Sequence, residues 1–152
     1  MIDIVNTLKD KAELKEWIPV IGAKNIQSYT LSQKDLTTGK SALMIDLPTS
    51  SAIITNGTWS EHTYNIELLL VRKFEEFTKS SVSETTEQKY NNRLFELQED
   101  FDTFLYEVFQ CAGVSKVTSI NYSYVMNILS KSVDGVLCNV RFEAYWKAFN
   151  SY

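Results

Sequence analysis

Apolar and polar residues alternate along the last part of the chain, a pattern typical of β-strands with one buried and one exposed face. In the stretch 132–147 the apolar positions of one side are Val136, Cys138, Val140, Phe142, Ala144 and Trp146. The stretch 116–129 alternates in the same way, and Asp134-Gly135 is a strong signal for a hairpin turn. We therefore predict a long C-terminal hairpin, whose last strand completes the core as scaffold.

A helical period replaces this alternation between residues 84 and 112. Apolar residues recur there every three or four positions: Tyr90, Leu94, Leu97, Phe101, Phe104, Leu105, Val108 and Phe109. Ser83 precedes the stretch as a capping residue, and Gly113 follows it as a residue that can adopt the left-handed end conformation. The pattern predicts one long amphipathic helix.

The first half of the chain shows shorter elements. A helix is predicted over 2–18, ended by Pro19 and Gly22, and strands are predicted over 25–32, 41–47 and 62–74. The stretch 48–62 follows no regular period, although Asn56-Gly57 is a turn signal. It is therefore either a docking arm or a loop that folds back on its own sheet.

The element order α-β-β-β-α-β-β predicts the fold class. Hairpins outnumber parallel crossovers, so residues 1–152 should form one α+β domain. Its mixed or antiparallel sheet, with long hairpins, should pack against the long amphipathic helix.

The composition limits the kinds of molecule that the protein is expected to bind. The 152 residues carry a net charge of −4, which argues against binding nucleic acid by broad phosphate neutralisation but leaves room for nucleic acid to pass. The N-terminus lacks a basic signal region and no apolar run could cross a bilayer, so we expect a soluble protein made in a cytoplasm, without membrane contact. Cys111 and Cys138 are predicted to be small buried hydrophobes.

The sequence offers few groups for catalysis. His62 is the single histidine and is expected at the surface, which makes a serine–histidine–aspartate triad hard to build. The stretch 34–41 ends in Gly-Lys-Ser but lacks the first glycine of a phosphate loop, so it is interpreted as a polar turn. No cysteine or histidine spacing matches a zinc site. We therefore predict no enzyme, no cofactor and no metal.

The acidic residues of the long helix have two interpretations. Glu96, Glu99 and Asp100 could bind a divalent metal if they converged with Asp46 or Glu67, which would make the protein a metal-dependent enzyme. The favoured interpretation is that these acids form the solvated face opposite the aromatic stripe.

Charge also differs between two parts of the chain. Residues 84–110 carry seven acids and two bases, whereas residues 111–152 carry two acids and four bases. This asymmetry is either head-to-tail complementarity between copies or ordinary surface scatter. The candidate assembly surface consists of Ala52, Ile53, Ile54, Trp59, Arg141, Glu143, Tyr145 and Lys147.

The element order and the closing stretch DGVLCNVRFEAYW (134–146) resemble the tail-completion proteins of tailed bacteriophages, the terminator-like and neck proteins. The resemblance implies a homo-oligomeric ring of six or twelve copies that joins portal and tail in the virion and carries no catalysis. It also implies assembly in the bacterial cytoplasm, contacts with portal, adaptor or tail-tube proteins, and passage of DNA without specific binding. Glu96, Glu99 and Asp100 would then face the lumen or a neighbouring ring.

A second function remains open. The sheet and the aromatic helix could enclose a pocket lined by tyrosine, phenylalanine and tryptophan, which would make the protein a small-ligand-binding α+β domain. A buried polar cluster within the sheet would favour this alternative.

Overall fold

The computed structural model describes residues 3–22, 36–74, 85–111, 113–126 and 133–145. It confirms the predicted class, a single α+β domain in which a mixed sheet of six strands packs against a long helix. The helices are α1 (Ile4–Leu14), α2 (Thr86–Lys89) and α3 (Phe95–Cys111), and a π-helical turn (Tyr90–Leu94) joins α2 and α3 into the long helix. The strands are β1 (Ile18–Ile21), β2 (Ser41–Ile45), β3 (Thr49–Thr55), β4 (Thr58–Lys73), β5 (Val114–Val125) and β6 (Val133–Tyr145).

Strand β4 is the central strand of the sheet. The strand order is β1-β2-β4-β6-β5, and β3 also pairs with β4. Residues 68–72 of β4 pair with β2, and its residues 58–65 pair with β3 on the same side. On the other side β6 pairs with residues 61–73. Only β1 and β2 run parallel; the other described pairs are antiparallel.

The main core lies between one face of the sheet and the helices. The apolar residues of β6 that were predicted to face the core are buried from Val136 to Ala144, against Phe101, Phe104 and Leu105 of the long helix. The last of them, Trp146, lies outside the described residues. Helix α1 adds Leu8 to the same cluster. Burial of the large apolar side chains is the main source of stability.

A smaller apolar cluster covers part of the opposite face. It contains Leu36, Ala42, Met44, Val71 and Val133. These residues alternate along the strands with those of the main core, so the sheet is packed on both faces at the end where β1 and β2 lie.

The long helix differs from its predicted form near its start. Thr85 caps it, because Gln88 N donates to Thr85 Oγ1 at 3.2 Å and Thr85 N donates to Gln88 Oε1 at 2.9 Å. Ser83 lies outside the described residues. Tyr90, predicted on the buried stripe, is exposed, because the π-helical turn inserts an extra residue and rotates the preceding turn. Gly113 adopts the predicted left-handed conformation, with φ 71°.

Two local predictions near the N-terminus were wrong. The first helix ends at Leu14, and Glu16 in the left-handed region (φ 62°) turns the chain before Pro19 is reached. Pro19 lies inside β1, which was not predicted as a strand. Proline fits there because β1 is at the edge of the sheet that the described strands form, where a missing N–H costs little.

The stretch 48–62 forms neither a loop nor an irregular excursion. It contains β3, the turn Asn56-Gly57 and the start of β4, which begins at Thr58 instead of residue 62. Asp134-Gly135 was predicted as a turn, yet both residues lie within β6, paired with Arg72 and Val71. The strand predicted over 25–32 lies outside the described residues.

Candidate functional site

A β-hairpin arm projects from one end of the sheet. We use the name arm for β3 together with residues 58–65 of β4, which pair with it. Asn56 (φ 52°) and Gly57 (φ 75°) both adopt the left-handed conformations that a two-residue hairpin turn requires. The described part of β6 ends opposite Glu61, so the arm extends beyond it by roughly 10 Å at about 3.3 Å per residue.

The tip of the arm is apolar and exposed. Ile54 pairs directly with Trp59, and these side chains are 55% and 52% exposed. Ala52 is exposed as well, and Ile53 is half-buried. The Ser60 hydroxyl donates to the Ile53 carbonyl at 3.1 Å, which holds the two strands together near the tip. Four predicted assembly residues therefore lie on one projecting element.

The sheet face opposite the helices is polar where the smaller apolar cluster does not cover it. We call this surface the open face. Its residues, placed by register and alternation, are Thr49, Ser51, Thr63, Asn65, Glu67, Ser119, Asn121, Ser123, Asn139, Arg141 and Glu143. The face is mostly uncharged, because hydroxyl and amide side chains dominate it.

A cleft of about 390 Å³ opens on this face at the base of the arm. Its lining residues are Thr49, Ser50, Ser51, Thr63, Tyr64, Asn65 and Arg141. Arg141 is exposed and lies opposite Asn65 of β4 and Ser119 of β5. The Thr118 hydroxyl donates to the Arg141 carbonyl at 2.9 Å, so the backbone at Arg141 is fixed while its guanidinium remains available.

Glu143, two residues further along β6, belongs to a different group of charged side chains, together with Glu61 and Lys116. Partial burial and a hydrogen bond with Glu143 raise the pKa of Glu61, the repulsion between these two carboxylates adds to this rise, and Lys116 opposes it. The Ser115 hydroxyl donates to the Glu143 carbonyl at 3.0 Å. Tyr145 is the last residue of β6, and Lys147 lies outside the described residues.

The acids of the long helix do not form one uniform surface. Glu96 and Glu99 are exposed. Asp100, in contrast, forms an ion pair with Arg72, whose guanidinium nitrogen donates to the Asp100 carboxylate at 3.0 Å. Arg72 Nε also donates to the Ser41 hydroxyl at 2.7 Å. Among the described residues, no group of three or more histidine, cysteine, aspartate or glutamate side chains is arranged to hold a metal ion.

Sequence reasoning missed a buried ion cluster near the start of the long helix. Asp134 is fully buried and accepts from Lys89 Nζ at 3.1 Å and from an Arg93 guanidinium nitrogen at 3.1 Å. Arg93 also lies over the Phe74 ring, 5.0 Å from its centroid. The cluster fastens the helix to β6. The unusual Asp134 among apolar strand positions was the only sequence signal that could have indicated it.

A second exposed apolar patch, also missed, lies beside this cluster. Tyr90 contacts Phe95 and Tyr124, with ring centroids 6.0 Å and 5.8 Å apart, and all three side chains are exposed. We call these three residues the aromatic patch. The Tyr124 hydroxyl is hydrogen-bonded to Gln98, so the patch bridges the long helix and β5.

The remaining candidate reactive groups are held in the packed layer. Burial raises the pKa of the Cys138 thiol to about 12, so this thiol is not a nucleophile at neutral pH. His62, predicted at the surface, is half-buried with its ring centroid 6.1 Å from that of Tyr64. None of the helices in the described ranges has the length and apolar character needed to cross a bilayer.

Comparison with known proteins adds no relative. The sequence matches no protein-family model, and no curated protein is similar to it at a significant level.

Proposed function

We propose that the protein is a non-enzymatic structural subunit that assembles with copies of itself into a ring. The observation that carries the proposal is the arm, with Ile54 and Trp59 paired and exposed at its tip. Large apolar side chains that project on a hairpin lose contact with water only when another surface covers them. The arm is therefore the element that a neighbouring subunit covers.

The position of the aromatic patch supports a ring. Tyr124 is level with Leu70 of β4 across β6, whereas the tip of the arm lies at Trp59. The two apolar surfaces are thus separated by roughly 35 Å along the strand direction, at about 3.3 Å per residue. Two different surfaces at opposite ends favour head-to-tail contacts between copies, and such contacts close into rings when the rotation between copies allows it.

The proposal extends to a place in the neck or tail of a phage virion. The resemblance in element order favours a ring of six or twelve copies that joins portal and tail, with portal, adaptor or tail-tube proteins above and below. The net charge of −4 suits a channel through which DNA slides, because acidic side chains outnumber basic ones and the protein as a whole repels phosphates.

Native mass spectrometry and negative-stain imaging over a concentration series test self-assembly. We expect closed rings of defined copy number for the wild-type chain. The double variant Ile54→Ser/Trp59→Ser should assemble only at concentrations at least about tenfold higher, because interface aromatic residues contribute strongly to association.

The matched control is Leu14→Ser at the end of α1, which also removes an exposed apolar side chain, 78% exposed, but leaves the arm unchanged. It should assemble like the wild type. A wild-type chain that stays monomeric at every concentration, alone and with the purified neighbouring ring proteins, would contradict the proposed function.

A further inference from the structure

We propose that the Arg141 cleft of one copy binds Glu96 and Glu99 on the long helix of the next copy. This inference rests on the proposed self-assembly and names the polar contact that orients it. The occupant follows from charge complementarity between two surfaces whose charged groups form no ion pair with the described residues of the same chain.

Arg141 differs from the other two arginines of the chain. Arg72 forms an ion pair with Asp100, and Arg93 forms one with Asp134. No carboxylate among the described residues lies within ion-pair distance of Arg141, which instead stands in a cleft lined by hydroxyl and amide groups. A guanidinium beside such donors binds a carboxylate through two parallel hydrogen bonds.

Glu96 and Glu99 differ in the same way from the other acids of helix α3. Asp100 pairs with Arg72, Asp102 accepts from the Tyr122 hydroxyl at 2.6 Å, and Glu107 pairs with Lys15 at 3.4 Å. Glu96 and Glu99 are exposed and make no ion pair with any described residue. Because they are three positions apart, they lie side by side on the helix surface.

These two surfaces cannot meet within one chain. The cleft is on the open face of the sheet, and the long helix covers the opposite face. Contact therefore needs a second copy, and it is heterologous, because each copy offers its helix to one neighbour and its cleft to the other.

The cleft also fits the chemistry of two acids. Its volume of about 390 Å³ lies within the range of small-molecule sites, about 300–1,000 Å³, so it has room for more than one carboxylate side chain. The hydroxyls of Thr49, Ser51 and Thr63 can donate to the carboxylate that Arg141 does not bind. Glu143 and Glu61 carry the same negative charge as the proposed occupants, but they interact with each other and with Lys116.

A charge-swap experiment tests the inference. Arg141→Glu alone, and Glu96→Arg/Glu99→Arg alone, should each raise the concentration for half-assembly at least about tenfold, measured by mass photometry or sedimentation. Chains carrying all three substitutions should assemble close to wild-type concentrations, because the charges are again complementary. Lys9→Glu on α1, a change of equal charge away from both surfaces, is the control and should have no effect.

The outcomes separate this inference from the proposed function. Wild-type rings that all charge variants also form would overturn the inference and leave the ring intact. Single variants that fail without recovery in the triple variant, although their thermal midpoints match the wild type, would overturn it as well. Failure of the wild type itself to assemble would refute both.

A free anion is the competing occupant of the cleft. Calorimetry with inorganic phosphate on the Ile54→Ser/Trp59→Ser chain distinguishes it. Phosphate binding that Arg141→Glu abolishes, with no effect of Arg141→Glu on ring formation, would assign the cleft to a free anion and overturn the inference.

Discussion

The two halves of strand β4 lie in opposite environments. Residues 68–71 are packed on both faces, with Leu68 and Leu70 in the main core and Val71 in the smaller apolar cluster. Residues 58–65 form the arm, where Trp59 and its neighbours are exposed and the open face is polar. One continuous strand of 16 residues thus joins a fully packed segment to an exposed one.

This difference suggests that one part of β4 determines the folding stability of the monomer and the other part determines its contacts with other molecules. The packed half holds the fold together, so changes there should lower the free energy of unfolding. The tip of the arm, with Ile54 and Trp59, contributes little to the core, whereas Tyr64 at its base belongs to the core. Changes at the tip should therefore leave the monomer stable and affect contacts with other molecules. The following experiments test that separation.

The largest loss of stability is expected from Asp134→Asn, next to the packed half. The change removes the negative charge between the buried Lys89 and Arg93, and breaking a buried ion pair costs about 3–5 kcal/mol. Asp100→Asn is the control, because its carboxylate is 43% exposed and its pair with Arg72 should contribute about 1 kcal/mol or less. Urea unfolding at neutral pH measures both. Equal losses for the two variants would mean that the buried cluster is not a fastening point.

A direct comparison of the two halves comes next. Leu68→Ala leaves a cavity in the main core and should cost about 2–5 kcal/mol. Trp59→Ala, in the same strand, should change the free energy of unfolding of the monomer by no more than about 0.5 kcal/mol. Both values are measured on dilute protein, where assembly does not contribute. A loss above about 2 kcal/mol for Trp59→Ala would show that the arm is part of the core.

A smaller effect is expected for the hydrogen bond between Tyr122 and Asp102. Tyr122→Phe should cost about 1 kcal/mol at pH 7. Burial, together with the hydrogen bond to Asp102, raises the pKa of Tyr122 well above its usual value. The folded phenol thus stays protonated while the unfolded one ionises above about pH 10, and stability falls as pH rises.

The pH profile of unfolding checks this sign. Wild-type stability should decline from about pH 9, where the unfolded Cys138 thiol ionises, since burial raises the folded pKa to about 12. The Tyr122→Phe variant should decline less steeply above about pH 10. Tyr106→Phe is the control, because Tyr106 lies on the exposed side of the long helix. Its stability profile should follow that of the wild type. Parallel profiles for Tyr122→Phe and the wild type would refute the assignment.

Sequence periodicity predicted the elements of the main core better than it predicted the arm, and the reason is physical. The alternation from Val136 to Ala144 and the helical stripe through Phe101 are local patterns that burial enforces, so they were predictable. The arm was not recognised as a strand because Ala52, Ile53 and Ile54 are consecutive apolar residues, which break the alternation on which the prediction depends. Its pairing is irregular as well, since a β-bulge, a register shift at Ile53 and Ile54, leaves Ser60 of β4 as an extra residue.

Other features depended on residues distant in sequence. The burial of Arg93 was not predicted, because it follows from the π-helical turn and from Asp134, 41 residues away. Pro19 is acceptable in a strand because β1 is the outermost of the described strands on its side of the sheet, which sequence alone did not show. Of the candidate site, the residues of the arm tip were predicted, whereas the cleft around Arg141 needed strands β3, β4 and β6 together.

The bulge also affects how the isolated chain behaves in solution. Strand β3 pairs with β4 alone among the described strands, so no described strand covers its other edge. The run from Ala52 to Thr55 is uncharged and rich in β-branched residues. Such segments stack in register into fibrils. The register shift at Ile53 and Ile54 leaves Ser60 of β4 as an extra, bulged residue, and a bulge opposes regular edge-to-edge stacking. We therefore expect the bulge to protect the arm against amyloid-like aggregation.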